Sequence, residues 1–311
     1  MKCMITPCEI SVRVSIRGRG AKNYEDKGGH MSKTRKLLSL LLALAMVMAL
    51  FGLAGCGGAA EEPAEEPAAE EPAAAEFTTL TEGKIIVGSD TAYPPFENVV
   101  NGVTEGFDVD LVKAIGERLG VEVEFKTYKF DALIAGMQAG TEFDMIASAM
   151  TITDERKQAI DFSDPYINSN QSLAVAADST IATVDALKSG DKVGVQSGTT
   201  GEKWAKDNLA PKGIVVTPYD DILAAFNALS AGDIVAVIND APISQDVVKD
   251  PARKAKVVAE IPTGEQYGFA FNKSNTALRD AVNGALAEIK ADGTYVEIYK
   301  KWFGAEPLSI P

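Results

Sequence analysis

Three short stretches carry residue types suited to holding a small charged molecule. In "MTITDER", Thr151 and Thr153 precede an acidic pair at what reads as a helix start, and Arg156 follows. A helix start presents unpaired backbone N–H groups and a partial positive charge. A guanidinium fork takes a carboxylate through two parallel hydrogen bonds. Together they fit a small carboxylate. The same spacing also fits a plain cap, with Thr153 closing the helix and Arg156 in solvent, and from spacing alone the cap is the commoner arrangement. In "VQSGTTGEKW", from Val195, Gln196 leads into a Gly- and hydroxyl-rich turn with Thr199 and Thr200. This turn offers N–H groups to an anion but lacks the spacing and lysine of a Walker loop. In "VIND", Asn239 and Asp240 end an apolar run, and Asp240 either caps the next helix, faces an ammonium group, or does both. Asp90, ahead of "TAYPPFE", pairs with a polar or cationic group or simply sits in a turn. Tyr93 and Phe130 are candidate pocket walls or ordinary core aromatics.

The elements that must position these residues alternate along the chain. "KIIVGSD", "VEVEFKTY" and "FDMIASAM" read as strands, with helices over "FDVDLVKAIGERLG" and "FDALIAGMQAG" between them. A second series runs "TVDALKSG" helix, "DKVGVQSG" strand, "TTGEKWAKDNL" helix, "GIVVTPY" strand, "DDILAAFNALSAG" helix, "DIVAVIND" strand, "APISQDVVKD" helix and "AKVVAE" strand. "YGFAFN" and a long helix from Asn275, interrupted near Gly293, close the chain. Such alternation predicts mainly parallel sheets with helices on both faces, in two lobes. Ligands of open α/β sheets sit beyond the carboxyl ends of strands. That rule selects Asp90, Ala149 to Thr153, Gln196 to Thr200, and Asn239 with Asp240.

Composition narrows the chemistry. The 311 residues carry a formal net charge of −14, three cysteines and one histidine. All of these cysteines (Cys3, Cys8, Cys56) and His30 precede residue 77. Residues 77–311 therefore hold no Cys–His or Ser–His pair, no Cys/His zinc site and no disulfide; no metal and no cofactor is expected. Acidic residues outnumber basic ones there, which argues against a nucleic-acid surface.

The N-terminal part reads as processing signal. Residues 1–30 are basic and aperiodic, and "KGGHM" fits a ribosome-binding site followed by a start codon. Translation is therefore expected to begin at Met31, with 1–30 an upstream extension. Residues 31–55, "MSKTRKLLSLLLALAMVMALFGLAG", have the basic start and apolar run of a signal peptide. "LAGC" resembles the bacterial lipobox, which implies lipidation of Cys56; two acyl chains suffice for stable anchoring. Residues 56–76 then form a Glu-Glu-Pro-Ala tether with little to bury.

From Glu82 to Gly304 the sequence resembles the polar-amino-acid substrate-binding proteins of bacterial ABC importers. The resemblance rests on "IIVGSDTAYPPFE", "GFDVDLVKAIGERLG", "MTITDERKQAIDFSDPY", "KVGVQSGTTGEKWAK" and "ALAEIKADGTYVEIYKKWFG", in order and without a large gap. It implies a two-lobed, type II periplasmic-binding-protein fold, each lobe a mixed, mostly parallel sheet flanked by helices, on a two-strand hinge. Lobe one would hold 77–172 and 266–311, and lobe two 176–262. It further implies that Arg156 grips a ligand α-carboxylate, assisted by the Ala149 backbone, the Thr151 hydroxyl, and Thr199 and Thr200 on closure. Asp240 would take the α-ammonium, while Asp90, Tyr93 and Phe130 match side-chain pocket positions. Gln196 stands where some members carry Lys or an apolar residue, and Asn239 where some glutamine binders carry His. Val235 replaces an Asp often found in that strand. The implied partners are a free polar or cationic amino acid (glutamine, arginine or histidine), an ABC permease, and the membrane through Cys56, with the protein a monomer. An extracytoplasmic cyclohexadienyl dehydratase and a ligand-sensing domain share this fold and are the alternative readings.

Overall fold

The computed structural model describes residues 77–311. The expected upstream extension, signal peptide, Cys56 and tether lie outside the described residues.

Strand β1 (Lys84–Ser89) is apolar almost throughout and buried on both faces, the signature of a central parallel strand. A ribbon of β2 (Ala92–Tyr93), β3 (Glu97–Val100) and β4 (Val103–Glu105) follows. The sequence reading contains no counterpart of it, because its strands are too short to show a period. Helix Phe107–Leu119 begins at Gly106, where a Cβ would lie 1.9 Å from the Phe96 carbonyl oxygen, and ends on a left-handed Gly120. β5 (Glu122–Thr127), helix Phe130–Ala139, β6 (Met145–Ile146), helix Asp154–Ala159 and β7 (Asp161–Phe162) complete this half. "FDMIASAM" pairs only over Met145–Ile146 before the chain turns away.

β8 (Ile167–Ala176) opens the second half. Then come β9 (Lys192–Gln196), helix Thr200–Asn208, β10 (Val215–Tyr219), helix Ile222–Ala231, β11 (Ala236–Asp240), helix Ala241–Val247 and β12 (Ala255–Tyr267). The helix expected over "TVDALKSG" is one 3₁₀ turn, Val184–Ala186. In that stretch Leu187 alone is buried, so a longer helix would gain no apolar face to offset its nucleation cost. β13 (Ala270–Phe271) and helices Thr276–Ala291 and Thr294–Phe303, broken at Gly293 (φ 92°), end the fold.

The strands build two five-stranded sheets, ordered β5-β1-β6-β13-β7 and β10-β9-β11-β8-β12. In each, the first two pairings are parallel and the last two antiparallel. The antiparallel share comes from the crossings: the chain leaves the first sheet between β7 and β8 and returns between β12 and β13. β8 and β12 pair along nearly their whole length, forming a two-strand hinge. An aromatic cluster packs the last helix against the start of helix Phe107–Leu119. Phe107 meets Tyr295 edge-on at 5.7 Å and Phe96 at 5.9 Å, and Tyr166 stacks on Phe269 at 4.4 Å. Such pairs add roughly 0.5–1.5 kcal/mol each beyond area burial.

Candidate functional site

Arg156 satisfies both readings of its motif at once. The Thr153 hydroxyl accepts from the Arg156 backbone N–H at 3.1 Å, so the helix is capped as the spacing suggests. The side chain nevertheless points inward and is only 8% exposed. Its guanidinium lies 5.3 Å from the centre of the Phe130 ring. It donates to the Thr151 carbonyl at 2.7 Å and, across the cleft, to the Gly198 carbonyl at 3.1 Å. Among the described residues it forms no ion pair. Burial pulls its pKa below the usual arginine value, while Asp240 and then Glu265 push the other way. A buried cation without an adjacent carboxylate is costly, and an incoming anion relieves that cost.

Facing it is the start of helix Thr200–Asn208. Thr199 caps this helix, accepting from Glu202 N–H at 3.1 Å and donating its own proton to the Gln196 carbonyl at 2.7 Å. The N–H groups of Thr200 and Gly201 find no partner among the described residues, as expected for a first turn. They are free donors at the positive end of a helix dipole.

Asp240 ends β11 and is only 3% exposed. It occupies the cap position of helix Ala241–Val247 but makes no capping bond. Instead it accepts from Gln171 Nε2 at 2.6 Å and from the Tyr267 hydroxyl. Burial, and next the Glu265 charge, raise its pKa to about 7. Asp90, 6% exposed, accepts from Gln196 Nε2 at 2.5 Å, and burial raises it to about 6. The Gln196 Oε1 atom is buried without a partner among the described residues. Tyr93 donates to Asn239 Oδ1 at 3.0 Å.

Ala149 corrects one expectation of how the site is wired. Its φ of 44° turns the chain after β6, and its N–H donates to Asp108 Oδ2 at 2.9 Å, behind the cleft. Its amide is therefore committed, and only its carbonyl is left for a ligand.

Tyr93, Phe130, Ala149, Thr151, Arg156, Thr199, Thr200 and Asp240 line one cavity of about 10 Å³, space for about one water. Asp90 with Gln196, and Tyr93 with Asn239, tie the two lobes across the same cleft. A groove of about 680 Å³ runs outward past Arg156 between helices Asp154–Ala159 and Thr200–Asn208. Gln171, Tyr267 and Glu265 belong to the site although no motif named them. Pro262 and Gly264, between the runs "AKVVAE" and "YGFAFN", were the available signal, since such residues between strand runs can mark a bulge in one continuous strand. No group of three His, Cys, Asp or Glu among the described residues is arranged to hold a metal.

The raised acids predict a pH dependence. Were a ligand ammonium group to sit beside Asp240, it would favour the ionised form, and binding near neutral pH would release a proton. Affinity should rise as pH increases towards 7 and flatten above it, by up to about tenfold per pH unit for each proton released. Calorimetry at pH 6.5 in buffers of different ionisation enthalpy counts that proton; a heat independent of buffer would contradict the assignment.

Two α/β lobes on a paired-strand hinge, with polar side chains from strand ends meeting in one cleft, define a type II periplasmic-binding-protein fold. The chain belongs to the bacterial extracellular solute-binding proteins, family 3, whose family model matches residues 85–305. It is 37% identical to the L-cystine-binding protein TcyJ of Escherichia coli (strain K12), over 72% of this chain and 84% of that one. Among solved structures, an ancestral arginine-binding protein bound to arginine is 43% identical with a TM-score of 0.68, covering 71% of this chain and 99% of its own. The ancestral amino acid-binding protein AncCDT-1, a precursor of cyclohexadienyl dehydratase, is 39% identical with a TM-score of 0.67, covering 71% and 96%.

Proposed function

We propose that this protein is an extracytoplasmic receptor that closes around one L-amino acid and presents it to an ABC transporter permease. The observation carrying this reading is the buried Arg156, without an ion pair among the described residues, set in one cavity with the buried Asp240. A zwitterion supplies the anion for one and the cation for the other. In this reading Arg156 and the Thr200 and Gly201 N–H groups take the α-carboxylate, and Asp240 with the Ala149 carbonyl takes the α-ammonium. Residues 77–172 with 266–311 move as one lobe and 176–262 as the other. Because the cavity admits about one water, the amino acid enters only when the lobes part. It then replaces the Asp90–Gln196 and Tyr93–Asn239 ties.

The side-chain end favours a cationic amino acid. The Asp90 carboxylate and the partnerless Gln196 Oε1 are both acceptors, and a guanidinium or ammonium group supplies the donors they lack. Similarity to an arginine-binding protein supports the same choice. Asp90→Asn should weaken L-arginine binding by about 1.5–3 kcal/mol, the range for hydrogen bonds to charged groups, while changing L-glutamine binding little. Equal losses for both ligands would remove Asp90 from the side-chain pocket. Anchoring through lipidated Cys56 belongs to the same proposal, supported by the lipobox-like "LAGC".

The dehydratase reading is favoured by one finding, the likeness to AncCDT-1. Melting temperatures measured against each common amino acid and against prephenate separate the two. A ligand at a hundred times its Kd adds about 2.7 kcal/mol of stability. A rise with cationic amino acids and no turnover of prephenate supports the receptor; turnover of prephenate would replace it with the enzyme.

A further inference from the structure

Glu265 belongs to none of the motifs that suggested the cleft, yet it joins all three parts of it. The register of β12 against β8 slips between Ile261 and Glu265, and Gly264 takes a left-handed φ of 66°. Bulges of this kind re-aim side chains beside functional sites. Here Glu265 Oε2 accepts the Thr151 hydroxyl at 2.8 Å and the Thr200 hydroxyl at 2.7 Å. Its Oε1 accepts from Gln171 Nε2 at 3.0 Å and from the Thr263 hydroxyl at 2.9 Å. Thr151 follows β6 in the first lobe, Thr200 starts the helix after β9 in the second, and Glu265 itself lies on the hinge.

The direction of these bonds matters as much as their length. A hydroxyl has one proton and a carboxylate only accepts. Both threonine protons therefore point at Glu265, and the two hydroxyl oxygens, 3.4 Å apart, are only weakly joined to each other. Towards the cleft each hydroxyl presents lone pairs alone. With the Thr199 proton already on the Gln196 carbonyl, no hydroxyl proton of Thr151, Thr199 or Thr200 is left for a ligand carboxylate. That differs from the role the sequence resemblance implied for the Thr151 hydroxyl, and it leaves Thr200 its backbone N–H for a carboxylate.

We propose that Glu265 is a hinge-borne positioning residue: it ties one hydroxyl from each lobe, favours the closed arrangement, and holds both hydroxyls as acceptors facing the ammonium end of the ligand. The last part rests on the amino-acid reading above; the tie between lobes does not. Asp240 is the neighbouring titrating group, facing Arg156, Glu265, Tyr267 and Tyr93, and the Glu265 charge raises its pKa. Removing that charge moves the pH midpoint of binding downward, which loss of packing alone would not do.

The test uses the full chain with Cys3, Cys8 and Cys56 replaced by serine and nitroxide labels on Lys113→Cys and Lys212→Cys, one exposed site in each lobe. Inter-label distances are measured without added amino acid for the otherwise unchanged protein, Glu265→Gln, Glu265→Ala, Thr200→Val and the Glu265→Gln/Thr200→Val double variant, each checked for a cooperative melt. The expected result is a shift to longer distances in every variant, with the double variant no wider than Glu265→Gln alone. Titration with L-arginine should show about tenfold or greater weakening in Glu265→Gln, the loss expected for hydrogen bonds to a charged group. Its pH midpoint should also be lower. Distances unchanged in both Glu265 variants, or additive effects of Glu265→Gln and Thr200→Val, would overturn the proposal. Should the unsubstituted protein bind no amino acid, the receptor reading falls, while the label distances still decide the tie.

Discussion

Arg156→Ala is expected to lower amino-acid affinity by two or more orders of magnitude. Removing one partner from a buried charge pair costs about 3–5 kcal/mol, which is about two to three and a half decades in Kd. The loss is large because nothing replaces the guanidinium. The free N–H groups of Thr200 and Gly201 carry dipoles rather than a full charge, and the nearby threonine hydroxyl protons are engaged elsewhere. Arg156→Lys keeps the charge but loses the planar fork and its seat over Phe130, so it should fall between wild type and alanine. Arg156→Met separates binding from folding. The buried cation forms no ion pair among the described residues, so an apolar side chain of similar length should not lower the melting temperature measured without ligand. Calorimetry with L-arginine checks the first two variants, and thermal unfolding the third. Unchanged binding by Arg156→Ala would place the ligand elsewhere.

Asp240→Asn should produce an opposite pair of effects. The ligand ammonium loses its counter-charge at a fully buried position, costing about 3–5 kcal/mol by the same argument. The unliganded protein should gain. Unfolded, this aspartate titrates near 3.8, but folded it holds its proton to about 7. The folded state therefore binds the proton more tightly, and this group's contribution to stability falls as pH rises from about 4 to about 7. Asparagine carries no such penalty. The melting temperature of Asp240→Asn relative to wild type should thus rise between pH 4 and pH 8, while its binding no longer gains affinity as pH approaches 7. A relative melting temperature flat across that range would mean that Asp240 is ionised at low pH and shielded in some other way. A binding carboxylate that weakens the empty fold is the expected signature of a site built for a ligand rather than for stability.

How much of this was legible before folding depended on whether the signal was local. Arg156 and its cap lie within a few residues, so the motif announced a helix start and a cation there. It did not announce burial, because burial depends on Phe130 and on Gly198 across the cleft. Asp240 was legible as a strand-end acid, but not that its carboxylate would leave the cap unserved for Gln171 and Tyr267. "TVDALKSG" misled for the converse reason. Its local pattern admits a helix, and only the lack of an apolar surface to pack on reduces it to a turn.

By itself, the sequence determined what repeats or stands close along the chain: alternating strands and helices, their caps, and a supply of side chains from which Cys and His chemistry is missing after residue 76. Tertiary structure alone decided which of those side chains lose water together. Glu265 shows the difference most clearly. It lies 114 residues from Thr151 and 65 from Thr200, and a slipped register on the hinge places it between them. Hydrogen-bond direction and the proton affinity of a buried acid are set by such neighbours. No periodicity in the chain records them.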